Sequence, residues 1–503
     1  MRASLTAVVL FIALCAPAVA AEAIGGTSPL VDAVRTGDRQ AAIALINQHA
    51  DMNAPAPDGS RALLWAAHNN DADMVNRLLR AGADAKARNE FGATAMSEAA
   101  FVGNTAIIEA LLKAGADPDS PGPDGQTALM VAVRTGNLAS VTLLVEHGAN
   151  VNAKEQQKEQ TALMWAAAQS QPAIVRALVA HGADVNARSH VDEWIAQVSP
   201  EPRAQHLSYG GLTPLLFAAR EGCLGCVQSL VEGGAKLNLP DPEGVTPLIL
   251  AIGNAHFDAA AYLIAKGANV DKWDWWGRSP LYMAVDLNTI PHGGRADGPS
   301  LDETTPLQII EQLLDRGANP NLQLKLLPPF RAVGADRGVD QMITIGATPL
   351  LRAAKAMDAP AIKLLLAHGA LPNLPNLRGT TPTMAAAGLG SVDADTRGYF
   401  TTPDVQQRSI ASLELLLGAG GEINAADNAG KTPLHGASFW GWNDVVQYLV
   451  DHHANLNAKD QKGMGVVDSA MGRAGGNSRG GQRIDVHEDT AVLLKKLMAA
   501  ATP

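Results

Sequence analysis

Residues 431–437 read KTPLHGA, and this stretch decides the fold because its Thr-Pro-Leu core recurs along the chain. The core or a variant of it begins near positions 28, 61, 94, 127, 161, 213, 246, 279, 348, 381, 432 and 465. Most of the steps between these starts have one length, as from 61 to 94 and from 94 to 127. A fixed period of this length is the signature of a repeat protein. By itself, His435 beside Thr432 resembles a catalytic pair, but the repetition favours an architectural role.

A second mark follows most of these starts at a constant distance, as Gly148 follows Thr127 and Gly369 follows Thr348. Glycine at such a position ends a helix in the left-handed conformation. His49 and His453 occupy the same position in two of the units. Between the marks lie a short apolar helix, a turn and a second helix such as 445–450, whose apolar residues have helical spacing. Each unit is therefore predicted to be a helix-turn-helix.

This pattern resembles the ankyrin repeat, which shares both the period and the motif T-P-L-H-x-A. The resemblance covers about residues 28 to 498. It implies an all-α solenoid of about 12 helix-turn-helix units with finger loops and terminal caps, forming one domain over residues 21–503. It also implies that Thr432 begins a helix, that Pro433 lies in its first turn, and that His435 bridges neighbouring backbone turns.

The segment 1–20 has the pattern of a signal peptide. A positive start is followed by the apolar stretch 5–15, which is too short to span a bilayer, and Ala18 and Ala20 form a small-x-small cleavage site before Ala21. Lipid attachment at Cys15 is the alternative, although the bulky Leu14 precedes it. We expect a periplasmic or secreted protein without a membrane-inserted segment in the mature chain.

Charge and motifs exclude several classes of function. A net charge of -11 and the lack of long basic runs argue against nucleic-acid and anionic-membrane partners. The AGKT stretch at 429–432 has Ala425 where a phosphate-binding loop needs glycine, and GNSRG at 476–480 has no strand before it. We therefore expect no enzyme, no cofactor and no metal site.

Four insertions interrupt the repeat. Two of equal length extend the finger loops before Thr213 and Thr348, and two more lie within units eight and ten, near 287–305 and 389–406. Loops on a rigid scaffold are common places for function, but they are also tolerated as plain surface loops.

Aromatic residues single out two of the units. Trp273, Trp275 and Trp276 lie six, four and three residues before Ser279, at finger positions that are variable and project toward the partner in ankyrin proteins. Phe439 and Trp440 occupy the variable positions that end the first helix of unit eleven. These five residues are the predicted partner-binding site, because aromatic anchors dominate protein interfaces. The alternative is that the insertion at 291–306 covers the tryptophans.

Cys223 and Cys226 are the two cysteines that remain after removal of the signal peptide. Their i, i+3 spacing at the start of a helix favours a local disulfide in an oxidising compartment. Two buried thiols or a redox-active pair are the alternatives.

The sequence thus favours an exported, monomeric scaffold that binds a protein partner. A thiol-disulfide oxidoreductase using Cys223 and Cys226 is one alternative, and a secreted effector or structural envelope component is another.

Overall fold

The computed structural model describes residues 28–122, 125–192, 209–289, 302–326, 344–391, 402–472 and 486–501. Contacts divide the described residues into two compact units, which we call the N-terminal unit (up to residue 242) and the C-terminal unit (from residue 243). The predicted signal sequence, with Ala18, Ala20 and Ala21, lies outside the described residues. Over the described ranges the chain forms 24 helices and one short hairpin, which confirms the all-α prediction apart from that hairpin.

The N-terminal unit contains twelve helices within its described residues. They are α1 (Pro29–Thr36), α2 (Arg39–Asn47), α3 (Ala62–His68), α4 (Ala72–Arg80), α5 (Ala95–Val102), α6 (Thr105–Lys113), α7 (Ala128–Arg134), α8 (Leu138–Glu146), α9 (Ala162–Ala168), α10 (Pro172–Ala180), α11 (Pro214–Glu221) and α12 (Leu224–Glu232). The hairpin of β1 (Val191–Asp192) and β2 (Tyr209–Gly210) is antiparallel and pairs Val191 with Gly210.

The C-terminal unit also contains twelve helices within its described residues. They are α13 (Pro247–Gly253), α14 (Phe257–Ala265), α15 (Pro280–Thr289), α16 (Pro306–Asp315), α17 (Pro349–Lys355), α18 (Ala359–Ala367), α19 (Pro382–Ala386), α20 (Thr402–Gly418), α21 (Pro433–Phe439), α22 (Asn443–Asp451), α23 (Val466–Ala470) and α24 (Glu488–Ala500).

Threonine begins most of the first helices because its hydroxyl oxygen accepts a free backbone N–H of the first turn. Thr127 Oγ1 accepts from the Met130 N–H over 3.3 Å, and Thr348 Oγ1 from the Leu351 N–H over 3.1 Å. Where proline follows, as at Pro247 and Pro349, its missing N–H leaves no donor unsatisfied. The repeated Thr-Pro-Leu is thus a helix-start signal.

The second helices end in the left-handed conformation, as the glycine mark predicts. Gly148 has φ +86° and Gly369 has φ +85°. His49 and His453 take the same conformation, with φ 59° and 71°, although a Cβ makes it less favourable. The prediction for these two histidines is therefore confirmed.

Consecutive helix pairs stack so that first helices pack on first helices and second helices on second helices. In the N-terminal unit α3 packs on α5 and α4 on α6, and in the C-terminal unit α15 packs on α17 and α16 on α18. The buried residues are mainly Ala, Leu, Val and Ile, which fill the space between neighbouring pairs. No pair could bury these faces alone, so stability depends on stacking.

Asparagine side chains tie each turn to the next. Asn152 donates to the Gly182 carbonyl over 3.2 Å and accepts from the Asp184 N–H over 2.7 Å. Asn321 makes the equivalent bonds to the Gly369 carbonyl and the Leu371 N–H. The amide of asparagine offers a donor and an acceptor together, which explains its recurrence in these turns.

The insertions lie where the phasing predicts, with one difference. The hairpin of β1 and β2 and the backbone pairing of Leu324 with Ala347 close the bases of the two finger-loop insertions. The insertion in unit ten does more than lengthen a turn, because α20 has 17 residues where most second helices have nine. Its last residues extend that helix at the N-terminal end.

Among the residues that the structure describes, no helix combines the length and the apolar character needed to cross a bilayer.

Candidate partner-binding surface

The finger loop before α15 is built around the carboxylate of Asp274. This side chain is only 1% exposed, and it accepts hydrogen bonds from the backbone N–H groups of Trp276 (3.1 Å) and Arg278 (2.9 Å). Arg278 Nε completes the set at 2.7 Å. A buried carboxylate with three donors and a guanidinium partner is well satisfied. Asp274 therefore fixes the loop that carries the three tryptophans.

The three tryptophans differ in exposure. Trp275 is 55% exposed and Trp273 is 42% exposed, whereas Trp276 is half-buried. Lys325 Nζ lies 3.2 Å from the centre of the Trp273 ring, and the Arg278 guanidinium lies 4.7 Å from that of Trp276. Both are cation–π contacts. Within the described part of the chain, Trp273 and Trp275 are thus partly accessible, which is the condition that a contact site requires.

Neighbouring finger loops continue this apolar surface. The N–H groups of Lys325 and Leu326 both donate to the Trp276 carbonyl, and the Leu377 N–H donates to the Ile345 carbonyl over 2.8 Å. Leu326, Ile345 and Leu377 are 40%, 38% and 63% exposed. We call the row Trp273, Trp275, Leu326, Ile345 and Leu377 the finger ridge.

Three members of the finger ridge were missed in the sequence. Ile345 and Leu377 lie three and four residues before Thr348 and Thr381, at the same variable positions as the tryptophans. Counting back from every threonine would have found both. Leu326 lies in an insertion, where the period gives no position, so only the structure places it.

Phe439 and Trp440 are half-buried, and their contacts lie within the chain. Trp440 Nε1 donates to the Gly388 carbonyl over 2.8 Å, its ring stacks on Trp442 at 6.1 Å, and Phe439 meets it edge-on at 5.5 Å. A Cβ on Gly388 would lie 2.5 Å from the Trp442 ring, so only glycine fits there. Among the described residues, the hydrogen bond and ring contacts of Phe439 and Trp440 are to Gly388, Trp442 and each other, and none is to a residue of the finger ridge.

A second group of aromatic side chains lies on the first helices of the N-terminal unit. Phe101 is 60% exposed with the Arg134 guanidinium 5.9 Å from its ring, and Trp65 is half-buried and meets His68 edge-on. His68 in turn contacts Glu98 over 2.9 Å. These residues were not singled out in the sequence because no unit carries more than one or two of them.

Comparison with known families decides what the repeated unit is. The model for three copies of the ankyrin repeat matches residues 30–121, 98–189, 196–274 and 215–324, and the model for a single ankyrin repeat matches 345–377 and 429–461. The chain belongs to the ankyrin-repeat family. Ankyrin repeats generally mediate contacts between proteins.

Similarity to individual proteins is more restricted. A stretch of 50 residues, 10% of the chain, is 42% identical to human BCL-6 corepressor-like protein 1 and spans 3% of that protein's length. Among solved structures, the ankyrin repeat domain of Bcl-3 is 28% identical with a TM-score of 0.38, over 46% of this chain and 98% of that domain. The human ASB11 ankyrin repeat domain is 24% identical with a TM-score of 0.36, over 44% and 91%.

In this ankyrin chain, His435 makes structural contacts. Its Nδ1 accepts from the Thr432 N–H over 3.1 Å, so the proton resides on Nε2, which faces the Met464 carbonyl at 3.4 Å. Burial lowers the pKa of His435 below its ordinary value of 6.5. The residue therefore links its own helix start to the next finger loop.

Cys223 and Cys226 begin the second helix of one ankyrin unit. Their side chains are paired as a disulfide, and their Cα atoms lie 5.2 Å apart. The Cys223 sulfur also accepts from the Cys226 N–H over 3.2 Å, so Cys223 is the N-cap of α12. Cys226 is fully buried and Cys223 is 9% exposed.

Across the residues that the structure describes, no three His, Cys, Asp or Glu side chains gather in a way that could hold a metal ion.

Proposed function

We propose that this chain is an exported ankyrin scaffold that docks a protein partner on the finger ridge. The observation that carries the proposal is the exposure of Trp273 and Trp275 beside three further apolar finger residues. A fully buried ring of this kind removes about 150–250 Å² from water, and Trp273 and Trp275 are 42% and 55% exposed. Exposed apolar groups of this kind usually mark a protein contact. The alternative, in which the insertion at 291–306 covers the tryptophans, depends largely on residues 290–301, which lie outside the described part of the chain.

Affinity capture tests the docking role. The mature chain is compared with a Trp273→Ala/Trp275→Ala variant and with a Leu371→Ala control, since Leu371 is 53% exposed on the same unit but lies outside the finger ridge. Partners in extract of the source cells are identified by mass spectrometry. We expect a protein that the mature chain and the control retain and that the double variant loses. Equal retention by all three baits would refute docking at the ridge.

Export is the second part of the proposal, and it is supported by the sequence of residues 1–21 and by the spacing of Cys223 and Cys226, which favours a local disulfide in an oxidising compartment. Cleavage after Ala20 should give a mature protein that begins at Ala21, in the periplasm or the medium. Intact mass measurement and cell fractionation test this. Replacing Ala18 and Ala20 by Asp should block processing, and an uncleaved cytoplasmic wild-type protein would refute export.

We also propose that Cys223 and Cys226 form a stabilising disulfide rather than a redox-active site. Reactive cysteines are partly exposed and lie in electropositive surroundings. Cys223 and Cys226 are instead both buried. An oxidising compartment preserves such a bond. Release of two thiols by mild reductant under native conditions, with turnover of a disulfide substrate, would instead support the oxidoreductase alternative.

A further inference from the structure

We propose that the finger ridge binds an extended acidic segment in which every third residue is apolar and the residues between carry carboxylates. This inference rests on the proposed docking function and adds the chemistry of the partner. It follows from the charges around the ridge, from the way one carboxylate is neutralised, and from the spacing of stacked helices.

The exposed charged residues beside the finger ridge are basic although the chain is acidic, because Asp241, Glu243 and Asp271 are half-buried and Asp274 is buried. The finger segments 272–278, 322–326, 344–347 and 374–380 contain four basic residues and one acidic residue, whereas the chain carries -11 in total. The basic residues are Lys272, Arg278, Lys325 and Arg378. Lys272 and Lys325 are exposed beside the tryptophans.

The acidic residue of these segments, Asp274, does not offset that charge. Its carboxylate is buried and bonded to Arg278 at 2.7 Å, so these two charges cancel. Glu243, on the preceding loop, receives the Trp275 N–H at its backbone carbonyl and is half-buried with a partner of its own. The finger ridge therefore presents ammonium groups to a ligand. Opposite charges at an interface favour the matching partner and exclude a basic one.

Lys325 is placed to act together with the aromatic surface. Its Nζ lies 3.2 Å from the centre of the Trp273 ring, which holds the ammonium group at the level of the apolar side chains. A carboxylate that reaches this ammonium group brings its neighbouring residues onto Trp273 and Trp275. Apolar and acidic residues must then be close together in the partner.

Helix spacing indicates the period of the partner's pattern. Packed helices lie about 8–10 Å apart, so successive finger loops have a similar separation. A chain in the extended polyproline II conformation rises about 3.1 Å per residue with three residues per turn, so every third side chain lies on one face and reaches a new finger loop. A segment with one apolar residue followed by two acidic residues fits this period.

Fluorescence anisotropy with defined peptides tests the inference. The probe is a fluorescein-labelled dodecapeptide made of four Leu-Asp-Asp repeats, and the comparison peptides carry Ser-Asp-Asp or Leu-Lys-Lys repeats. The protein is the mature chain, with its folding checked by circular dichroism and melting. We expect the Leu-Asp-Asp peptide to bind at least about tenfold more tightly than either comparison peptide, and more weakly as salt rises.

Matched variants locate the binding on the protein. Lys272→Glu/Lys325→Glu should weaken the Leu-Asp-Asp peptide at least about tenfold, whereas Lys363→Glu/Lys495→Glu, with the same change in net charge on exposed helix positions, should leave it nearly unchanged. Leu377→Ala should weaken binding and Leu371→Ala should not. Equal effects of the two charge variants, or equal binding of the three peptides, would overturn the acidic assignment.

The two proposals fail in different ways. If the captured partner depends on Trp273 and Trp275 while the peptides show no charge preference, docking stands and the acidic assignment is wrong. If the Trp273→Ala/Trp275→Ala variant changes neither capture nor peptide binding, both are wrong.

Discussion

At the scale of single residues, tryptophan has two different roles in the C-terminal unit. Trp275 is 55% exposed on a finger loop, whereas Trp442 is 3% exposed and stacks on Trp440. The residues that surround each tryptophan cause this difference in exposure, since the residue type is the same. Trp442 fills the space over Gly388, while Trp275 points away from a loop whose polar groups are already satisfied by Asp274.

Substitution of these two tryptophans should separate binding from stability. Trp442→Ala should cost about 3–5 kcal/mol because it leaves a cavity, whereas Trp275→Ala should change the free energy of unfolding by about 0.5 kcal/mol or less. Urea unfolding of both variants tests this. Comparable destabilisation by the two changes would mean that Trp275 is part of the core.

His435 makes stability depend on pH. Its pKa in the folded chain is below the ordinary 6.5 because burial disfavours the charged ring, so the unfolded chain binds the proton more tightly. The stabilising contribution is complete above about pH 6.5 and is lost as pH falls toward the lowered pKa of the folded chain.

Unfolding midpoints measured between about pH 8 and pH 5 should therefore fall less steeply for His435→Gln than for the wild type. His181→Gln is the control, since that histidine is exposed and bonds its own helix at the Ala177 carbonyl. An unchanged slope in His435→Gln would contradict the role of burial.

At the scale of elements, α12 begins with a sulfur atom where several other second helices begin with an Asp or Asn side chain. Asp71, Asn137 and Asp358 cap their helices through oxygen, and Cys223 does so through its Sγ. The cysteine thus combines an N-cap with a local cross-link. Sulfur is a weaker hydrogen-bond acceptor than oxygen, so the cap itself stabilises the helix less. The disulfide offsets this loss because the loop that it closes restricts the unfolded chain.

Two double variants separate these contributions. Removing the disulfide should cost about 2 kcal/mol, because so short a loop constrains the unfolded chain little. Cys223→Ser/Cys226→Ala keeps an N-cap oxygen, and Cys223→Ala/Cys226→Ala loses it, so the second should be less stable by about 1 kcal/mol more. Thermal melting with and without reductant measures both. Equal stability of the two variants would show that the cap contributes nothing.

At the scale of the whole molecule, each helix pair is stabilised by its neighbours in the stack, so damage should remain local. Leu144 in the N-terminal unit and Leu449 in the C-terminal unit are both fully buried. Leu144→Ala and Leu449→Ala should each cost about 2–5 kcal/mol. Hydrogen exchange should accelerate in the mutated unit and remain slow in the other. Uniform acceleration along the chain would indicate one global cooperative transition instead.

The local sequence was sufficient for the repeated architecture. Threonine at most first-helix starts, glycine or histidine at the left-handed ends of second helices, and asparagine in the turns form hydrogen bonds to nearby backbone groups. Their spacing alone therefore specifies helix-turn-helix units. The same reasoning found the finger positions of Trp273 and Trp275. It could not predict which aromatic side chains are exposed, because exposure depends on contacts with distant parts of the chain.

What the sequence by itself determined is the ankyrin family, the all-α fold and the location of the insertions, since these depend on period and local geometry. Only the tertiary structure decided which aromatic residues are exposed. Stacking brings Gly388 against Trp440 and Trp442, and sets Lys325 over Trp273, although the members of the pairs Gly388/Trp440 and Lys325/Trp273 lie far apart in sequence. Long-range packing of this kind decides which side chains of the finger ridge are buried and where its charged groups lie. A local sequence pattern cannot predict either.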